Sequence, residues 1–397
     1  MVIKKKTLES LMIMLCMAFL IIPDGLTIII SSINIWGSYI VLVIFFIFSI
    51  LNILTYKKMS LMSIILIALS LWLSITTYFN KPQAFTSSAF NFVRVVAICL
   101  IFEYYQNRIM IFIKVCRWFY FIMVFTNFVC VLLTYPNGIY TRNDGNAGYF
   151  LGYHNAFILY FIPALLLALL ERKCKKRYCR YNNFYIIFIF CFIPTILEKS
   201  TTTLLALFAV LLIYTIIGFK NKLRNHENYC KPYISVKKML IVYLACNIII
   251  LALNFLLNNR IIRYFVENIL GKSLNFSGRT IIWQTAITMI INNPWTGFGI
   301  GSNVLYYGAY WYGHNEIIEY MLEGGMIAVF LFVGIWIALS HNLDKCKSNV
   351  INMTMSVILP AILIFFLTEA STLQHFTIVY LIGYNLEKYL RNSNETI

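Results

Sequence analysis

Charge is scarce in this chain. Of its 397 residues only 12% are charged, whereas 60% are hydrophobic. Soluble domains carry about 25% charged residues. Apolar runs long enough to cross a bilayer recur throughout, and the short alternating segments of a membrane β-barrel are missing. The sequence therefore argues against a soluble class and predicts an all-α, polytopic integral membrane protein.

Acidic residues are scarcer than basic ones, 15 against 32, which gives a formal net charge of +17. Such an excess can indicate a nucleic-acid partner. Here the cations concentrate in the loops between apolar runs, as the positive-inside rule expects. We interpret the charge as a record of membrane topology and of contact with membrane lipids, and we expect no nucleic-acid partner.

Processing and cross-linking signals are also sparse. No small-residue cleavage site follows the first apolar run, so we predict an uncleaved first helix. None of the ten cysteines falls in a predicted outer loop, which argues against a disulfide framework. Cys174 and Cys179 have the spacing of a metal-ligand pair, but no second pair is near them. We expect no metal site.

The apolar runs predict about twelve membrane spans in a single transmembrane domain covering 1–397. They are 8–23, 37–54, 61–79, 89–105, 118–134, 155–170, 183–197, 202–219, 239–257, 316–339, 350–367 and 373–386. Most Lys and Arg residues fall on the side of the N-terminus, which predicts that both termini are cytoplasmic.

The longest connection, 258–315, is then a large extracytoplasmic loop. Within it, 280–291 predicts a short helix with an apolar face that contains Trp283, Ala286, Ile287 and Ile290. A helix stop follows at Asn292-Asn293-Pro294. We expect this helix to lie along the membrane surface.

Two residues that flank this loop are the leading candidates for chemistry. The guanidinium of Arg279 matches phosphate oxygens in geometry and stays charged. The imidazole of His314 can accept a proton from a sugar hydroxyl near neutral pH. The simpler alternatives are contact of Arg279 with lipid headgroups, and a helix-capping or packing role for His314.

Three carboxylates follow His314 on one helical face, at Glu316, Glu319 and Glu323. The helix dipole is enough to explain the first two. Glu323 lies deeper, and we expect it to hold His314 or an arginine in place. The adjacent Gly324 and Gly325 would let another helix approach closely.

The dipeptide His-Asn occurs twice before a predicted span, as His154-Asn155 and as His314-Asn315. This echo suggests that both helix starts face one site.

Four further cations leave two interpretations open. Arg94, within a span, either snorkels outward or lines a cavity and meets phosphate. Lys199, in a tight outer turn, either pairs with the adjacent Glu198 or contacts phosphate. Arg260 and Arg263 either anchor the outer end of a span or bind an anionic ligand.

The segment 277–325 resembles the O-antigen ligase and polymerase family of bacterial membrane proteins. The resemblance rests on Gly278-Arg279, Trp283, the NPWTGFGIG stretch at 293–301, His314-Asn315 and Glu323-Gly324-Gly325. It covers roughly 197–334. The glycines at 297, 299 and 301 do not form a dinucleotide fingerprint, because no strand precedes them, and we expect a flexible turn across the site.

The resemblance implies an integral-membrane glycosyltransferase. Such proteins move a glycan from undecaprenyl pyrophosphate to an acceptor on the outer face of the cytoplasmic, or inner, membrane, without a nucleotide sugar, metal or other cofactor. Carried over, Arg279 binds the pyrophosphate and His314 activates the acceptor hydroxyl in an inverting transfer. The substrate-binding candidates are Arg94, His154, Asn155, Lys199, Arg260, Arg263, Asn315, Glu319 and Glu323. A flippase and a chain-length regulator of the same pathway are the implied protein partners.

One departure from the family pattern bears on the choice of activity. Many members carry Ser-Arg in the outer turn before the large loop, whereas this chain has Lys199-Ser200-Thr201. Because polymerases of the family tolerate a diverged turn more often, we favour a polymerase of O-antigen or capsule repeat units. A ligase that passes polymer to the lipid A core is the alternative. A flippase is disfavoured, since only Arg94 lies well inside a span.

Overall fold

The computed structural model describes residues 5–142, 145–174, 183–223, 234–256, 279–302, 304–306 and 309–392. Arg260, Arg263 and Cys179 lie outside the described residues, as does most of the first half of the predicted large loop. What is predicted for them stays a prediction.

The described chain is mostly helical. The helices are α1 (Lys5–Leu20), α2 (Asp24–Ile29), α3 (Ser32–Leu54), α4 (Leu61–Asn80), α5 (Phe85–Tyr104), α6 (Ile109–Thr134), α7 (Ile158–Cys174), α8 (Asn183–Leu197), α9 (Thr201–Leu223), α10 (Val236–Leu256), α11 (Arg279–Asn292), α12 (Glu316–Lys345), α13 (Asn349–Phe366) and α14 (Leu373–Asn392). Short 3₁₀ turns occupy Pro82–Ala84, Gln106–Arg108 and His154–Phe157.

The described residues also form two small antiparallel hairpins. Strand β1 (Tyr140–Thr141) pairs with β2 (Ala147–Gly148), and β3 (Val304–Tyr306) pairs with β4 (Ala309–Trp311). Because helices dominate and the strands are few and short, the structure agrees with the predicted all-α membrane protein.

Seven helical segments in the described part of the chain are long and apolar enough to cross a membrane. They are Ser32–Leu54, Leu61–Asn80, Pro82–Tyr104, Gln106–Thr134, Thr201–Phe219, Glu316–Lys345 and Asn349–Phe366. Each of the other five predicted spans also falls on a helix. The count of twelve spans remains a prediction.

Helix α13 forms the centre of the bundle. Its apolar residues are buried on all sides, and it packs against α7 and α9. A helix that is apolar all round belongs in such a position. Helix α3 differs, since Ile35, Trp36 and Phe46 are exposed on one side and suit contact with lipid.

Helix α12 is broken where the sequence places its glycine pair. Gly325 has φ 65° and ψ −163°, so the predicted span 316–339 consists of two helical pieces. The freed backbone groups are taken up by the 293–301 segment: Phe298 N donates to Leu322 O at 2.6 Å, and Met326 N donates to Pro294 O at 2.8 Å. The break thereby positions both the glycine-rich turn and the start of α12.

The glycines permit this close backbone contact. A Cβ atom on Gly325 would lie 2.3 Å from the backbone of Trp295, and one on Gly297 would lie 2.7 Å from Gly324 N. Gly324 also faces α4, where Trp72 Nε1 donates to its carbonyl at 2.7 Å. The predicted close approach of another helix is therefore seen at Gly324, whereas Gly325 receives a loop.

The short helix predicted at 280–291 is confirmed as α11. Ile282, Trp283 and Ala286 pack against Ile318 and Leu322 of α12. Its apolar face is thus covered by protein. That the helix also lies along the membrane surface remains a prediction.

Candidate active site at a buried carboxylate

Glu369 lies in the turn between α13 and α14, with 2% of its side chain exposed. Its Oε1 accepts hydrogen bonds from Arg279 Nη2 at 2.6 Å and from Asn155 Nδ2 at 2.8 Å. Its Oε2 accepts one from Tyr312 Oη at 2.5 Å and lies 3.4 Å from His314 Nδ1. One carboxylate thus joins residues from three other segments of the chain.

Arg279 is the first residue of α11, and the packing of α11 on α12 fixes its position. Trp283, one turn further on, donates its indole N–H to Gly313 O at 2.8 Å. Gly313 N in turn donates to Glu319 Oε2 at 2.6 Å. These two bonds hold the residue before His314 from both sides.

His314 itself has a left-handed backbone, with φ 46°. Such a conformation is unfavourable for a residue with a side chain and persists where the surroundings impose it. The cap of α12 is the next residue: Asn315 Oδ1 accepts from Ile317 N at 3.0 Å and from Ile318 N at 3.2 Å. The capping alternative therefore belongs to Asn315, and the His314 ring is directed to Glu369.

The two His-Asn pairs both reach Glu369, the first through its asparagine and the second through its histidine. Asn155 from the first pair and His314 from the second both contact Glu369. Asn315 instead donates to Asn247 Oδ1 at 2.7 Å. The ring of His154 lies 3.9 Å from Glu198, measured from Nδ1 to Oε2.

The outer turn after α8 contributes a hydroxyl to this network. Ser200 Oγ donates to Asn155 Oδ1 at 2.9 Å. The preceding Lys199 is exposed and has φ 52°. Glu198 accepts a hydrogen bond from Tyr149 Oη at 2.5 Å, so the contacts that define its position come from Tyr149 and His154.

The surroundings of Glu369 favour its charged form. Burial raises the pKa of Glu369, but the contact with the His314 ring and the positive charge of Arg279 lower it by more than burial raises it, with a contribution from Tyr312. The net pKa lies below the usual 4.5 of a glutamate. Glu369 is therefore ionised at neutral pH. Burial raises the pKa of the Tyr312 hydroxyl, and the charge of the Glu369 carboxylate that it contacts raises it further.

A cavity of about 340 Å³ opens beside Glu369. We call it the Arg142 cavity, because Arg142 lines it together with Asp24, Tyr153, Tyr312 and Glu369. The Arg142 guanidinium lies over the Tyr153 ring, 4.4 Å from its centre. Burial raises the pKa of Asp24, and the charge of Arg142 opposes this shift. The cavity thus combines aromatic faces with groups of both charges.

The three carboxylates of α12 accept hydrogen bonds from different backbone groups, and that of Glu319 is Gly313 N. Glu316 is buried and accepts from Ser371 N at 2.7 Å. Glu323 Oε1 accepts from Gly301 N at 3.0 Å, and Lys81 Nζ donates to Gly301 O at 2.6 Å. Glu323 was expected to hold His314 or an arginine. It holds the glycine-rich turn, and Glu369 occupies the expected position beside His314 and Arg279.

Arg94 lies apart from this cluster. It is partly buried within α5, and its Nη1 donates to Asn91 Oδ1 at 3.3 Å. The structure thus brings together Arg279, His314 and Asn155 from the sequence-derived set, and places Arg94, Lys199 and Glu323 elsewhere.

Sequence reasoning missed four residues at this site: Glu369, Tyr312, Ser200 and Arg142. Glu369 had a signal, because it is the lone acidic residue between the last two predicted spans. The positive-inside rule counts Lys and Arg and gives no weight to a single acidic residue. Tyr312 and Ser200 are adjacent to residues that were singled out, but nothing in their types distinguishes them.

A comparison with known protein families finds one match. The model of the O-antigen ligase family matches residues 184–333, a segment that contains Arg279, the 293–301 turn, His314 and the Glu323–Gly325 break. No curated protein matches the chain. The family resemblance predicted from the sequence is therefore confirmed, and the chain is a multi-pass membrane protein in which residues 184–333 match the O-antigen ligase family.

Proposed function

We propose that this protein is a polymerase that joins lipid-pyrophosphate-linked oligosaccharide repeat units into O-antigen or capsular polysaccharide. The reaction takes place on the outer face of the cytoplasmic membrane, with both termini of the chain in the cytoplasm. The observation that carries the proposal is the contact of ionised Glu369 with both Arg279, at 2.6 Å, and His314, at 3.4 Å, beside the Arg142 cavity.

His314 acts as the general base. A proton on Nδ1 is attracted by the Glu369 carboxylate, which leaves Nε2 as the basic nitrogen. Nε2 removes the proton from the acceptor hydroxyl as its oxygen attacks the anomeric carbon of the donor. The constrained backbone of His314 and the carboxylate together fix the ring, so that little reorganisation is needed during the reaction.

Arg279 stabilises the leaving group. Its guanidinium has five N–H donors, and the bond from Nη2 to Glu369 uses one of them. The remaining donors are available to the pyrophosphate, on which negative charge grows as the bond to the anomeric carbon breaks. Arg142 adds positive charge in the adjoining cavity, whose wall includes Glu369, the partner of Arg279. Attack opposite the leaving pyrophosphate inverts the anomeric carbon, and the arginines take the place of a metal ion.

The proposed roles are tested by restoring variants to a bacterial host that lacks this chain. Arg279→Ala and His314→Ala should each abolish surface polymer at an unchanged protein level. Arg391→Ala is the matched control, because Arg391 is an exposed cation paired with Glu387 one helical turn away. Polymer made by either site variant would remove that residue from the mechanism.

A ligase is the second candidate, and the description of the matched family as O-antigen ligase favours it. The pattern of surface glycan in the deletion host separates the activities. Lipid A capped with single units and no ladder indicates the polymerase. Loss of both species, with lipid-linked polymer accumulating, indicates the ligase. Loss of all outer-face glycan, with single units trapped inside, indicates a flippase and overturns both.

A further inference from the structure

A second cavity lies deeper in the bundle, between α4, α5, α12 and the start of α14. Its volume is about 240 Å³, and we call it the Glu323 cavity. Glu319, Glu323, Gln374 and Asn91 line it, with Tyr312 shared between this cavity and the Arg142 cavity. Since Tyr312 also donates to Glu369, the Glu323 cavity adjoins the proposed transfer site.

The polar wall of this cavity is built to accept hydrogen bonds. Glu319 and Glu323 each use one carboxylate oxygen for a backbone N–H, at Gly313 and Gly301, and a carboxylate has further acceptor capacity. Lys81, whose ammonium group donates to Gly301 O, is a nearby cation, and Glu316 is a further acidic neighbour.

Gln374 supplies an independent sign that a ligand belongs here. The residue is 9% exposed, and its Oε1 is buried without a hydrogen-bond partner. An unpaired buried carbonyl oxygen costs about 1–3 kcal/mol. A ligand that donates a hydrogen bond to Oε1 removes this cost.

The remaining wall has the character of a sugar site. Tyr312 and Tyr320 present aromatic rings, and Leu73 and Val95 add aliphatic surface. Small-molecule sites combine such an apolar lining with a few placed polar groups. At about 240 Å³ the cavity is below the usual range of 300–1,000 Å³ for drug-sized ligands, which fits one sugar unit.

We propose that the Glu323 cavity binds one uncharged sugar unit of the glycan, next to the bond that forms, and rejects uronic acids and other anionic sugars. Sugar hydroxyls donate to Glu319, Glu323 and Gln374, whereas a sugar carboxylate would be repelled by the negative charge that the two neighbouring glutamates share. The assignment of this unit to the reacting glycan rests on the proposed function. The selectivity rests on the cavity alone.

The test is a binding measurement on the purified full-length protein in detergent micelles. The probes are glucose, galactose, N-acetylglucosamine and N-acetylgalactosamine, with glucuronic and galacturonic acid as the anionic counterparts. We expect saturable binding of at least one neutral sugar, unchanged by EDTA, and binding of its uronic acid weaker by about tenfold or more, as for an unpaired buried charge. Equal or tighter binding of a uronic acid, binding that needs added Mg²⁺ or Ca²⁺, or no binding of any neutral sugar would overturn the proposal.

A matched pair of variants locates the binding. Gln374→Leu should weaken binding of the neutral sugar about fivefold or more, because it removes the acceptor. Gln83→Leu, at an exposed position, should leave it unchanged. Unchanged binding in folded Gln374→Leu contradicts the assignment of the site. If Gln374→Leu does not fold, the comparison of neutral and anionic sugars on the unaltered protein still tests the proposed selectivity.

The two proposals fail separately. Sugar binding to the Glu323 cavity does not require Arg279 or His314, so Arg279→Ala and His314→Ala should retain it even though they make no polymer. Polymer made by those variants defeats the transfer mechanism and leaves the sugar selectivity standing.

Discussion

Two carboxylates of this bundle are buried to the same extent but have different kinds of partner. Glu103, at the end of α5, and Glu369, between α13 and α14, are each 1% exposed. Glu103 accepts from Ser60 N at 3.0 Å and from Ser63 Oγ at 2.6 Å, and Tyr389 Oη also donates to it. These donors are neutral. Glu369 instead contacts Arg279 and His314.

Burial alone therefore does not mark a functional acid. Around Glu103 the donors come from the start of α4 and from α14, so the carboxylate ties three helices together. Around Glu369 the partners can themselves bind a ligand or exchange a proton, and a cavity adjoins them. Cationic partners and an adjoining cavity distinguish the carboxylate that we propose to be functional, and both carboxylates can be tested by substitution.

After Arg279→Ala and His314→Ala, the largest effect is expected for Glu369→Gln. The amide keeps the shape but loses the charge that orients and balances His314, so the transfer rate should fall about 100-fold. The rate is measured as the consumption of radiolabelled lipid-linked units by membranes that contain equal amounts of protein. A transfer rate within about threefold of that of the unaltered protein would show that the negative charge of Glu369 does not contribute to the transfer reaction.

Asn155→Ala should cost less, about tenfold in the same assay, because it removes one of four contacts to Glu369 and leaves the ion pair intact. Asn34→Ala, at an exposed position on α3, serves as the control. An unaffected rate in Asn155→Ala would mean that the His154-Asn155 segment only packs beside the site.

Glu103→Gln should change stability and spare activity. The amide nitrogen would donate to Tyr389 Oη, whose own hydroxyl proton then loses its buried acceptor, at a cost of about 1–3 kcal/mol of folding free energy. We expect a lower midpoint of thermal unfolding in detergent and an unaltered transfer rate per folded molecule. A selective loss of rate without loss of stability would place Glu103 in the mechanism and break the comparison.

The pH dependence of stability sharpens the contrast. Because the pKa of Glu369 in the folded protein lies below 4.5, its ionised form stabilises the fold. This stabilisation is complete well above pH 4.5 and is lost as the pH falls through the lower folded-state pKa. The stability difference between the unaltered protein and Glu369→Gln should therefore shrink in acid. A difference that is constant from neutral pH to below that pKa would contradict an ionised Glu369.

The smallest effect is expected for Lys199→Ala. Lys199 is exposed, and the neighbouring Ser200 makes the contact to the site. We expect the rate to change about twofold or less, as for ordinary surface substitutions. A loss of tenfold or more would revive the phosphate-binding alternative for Lys199.

The sequence predicted the parts of this molecule that depend on local pattern. The helical membrane class, the short helix at 280–291 and the pairing of Arg279 with His314 in one region all follow from composition, periodicity and motif. Glu369 did not follow, because its burial depends on segments near 155, 200, 279 and 312, which are distant in sequence.

The broken helix illustrates a second limit. A glycine pair inside an apolar run indicates close approach, but it does not say whether a helix or a loop approaches. At Gly325 the backbone leaves the helical region, and the carbonyl of Pro294 accepts the N–H of the next residue. That outcome requires the positions of both segments in space.

The central claim is that Glu369 acts through His314, and a double-mutant cycle tests it most directly. The residual rate at which radiolabelled lipid-linked units are consumed is measured for Glu369→Gln, His314→Ala and the double variant. Residues that act as a unit are not additive. The account predicts that the double variant transfers at the rate of His314→Ala alone. The contrary result is a double variant that is slower than His314→Ala by the same factor that Glu369→Gln loses alone. That result would show that Glu369 acts independently of His314.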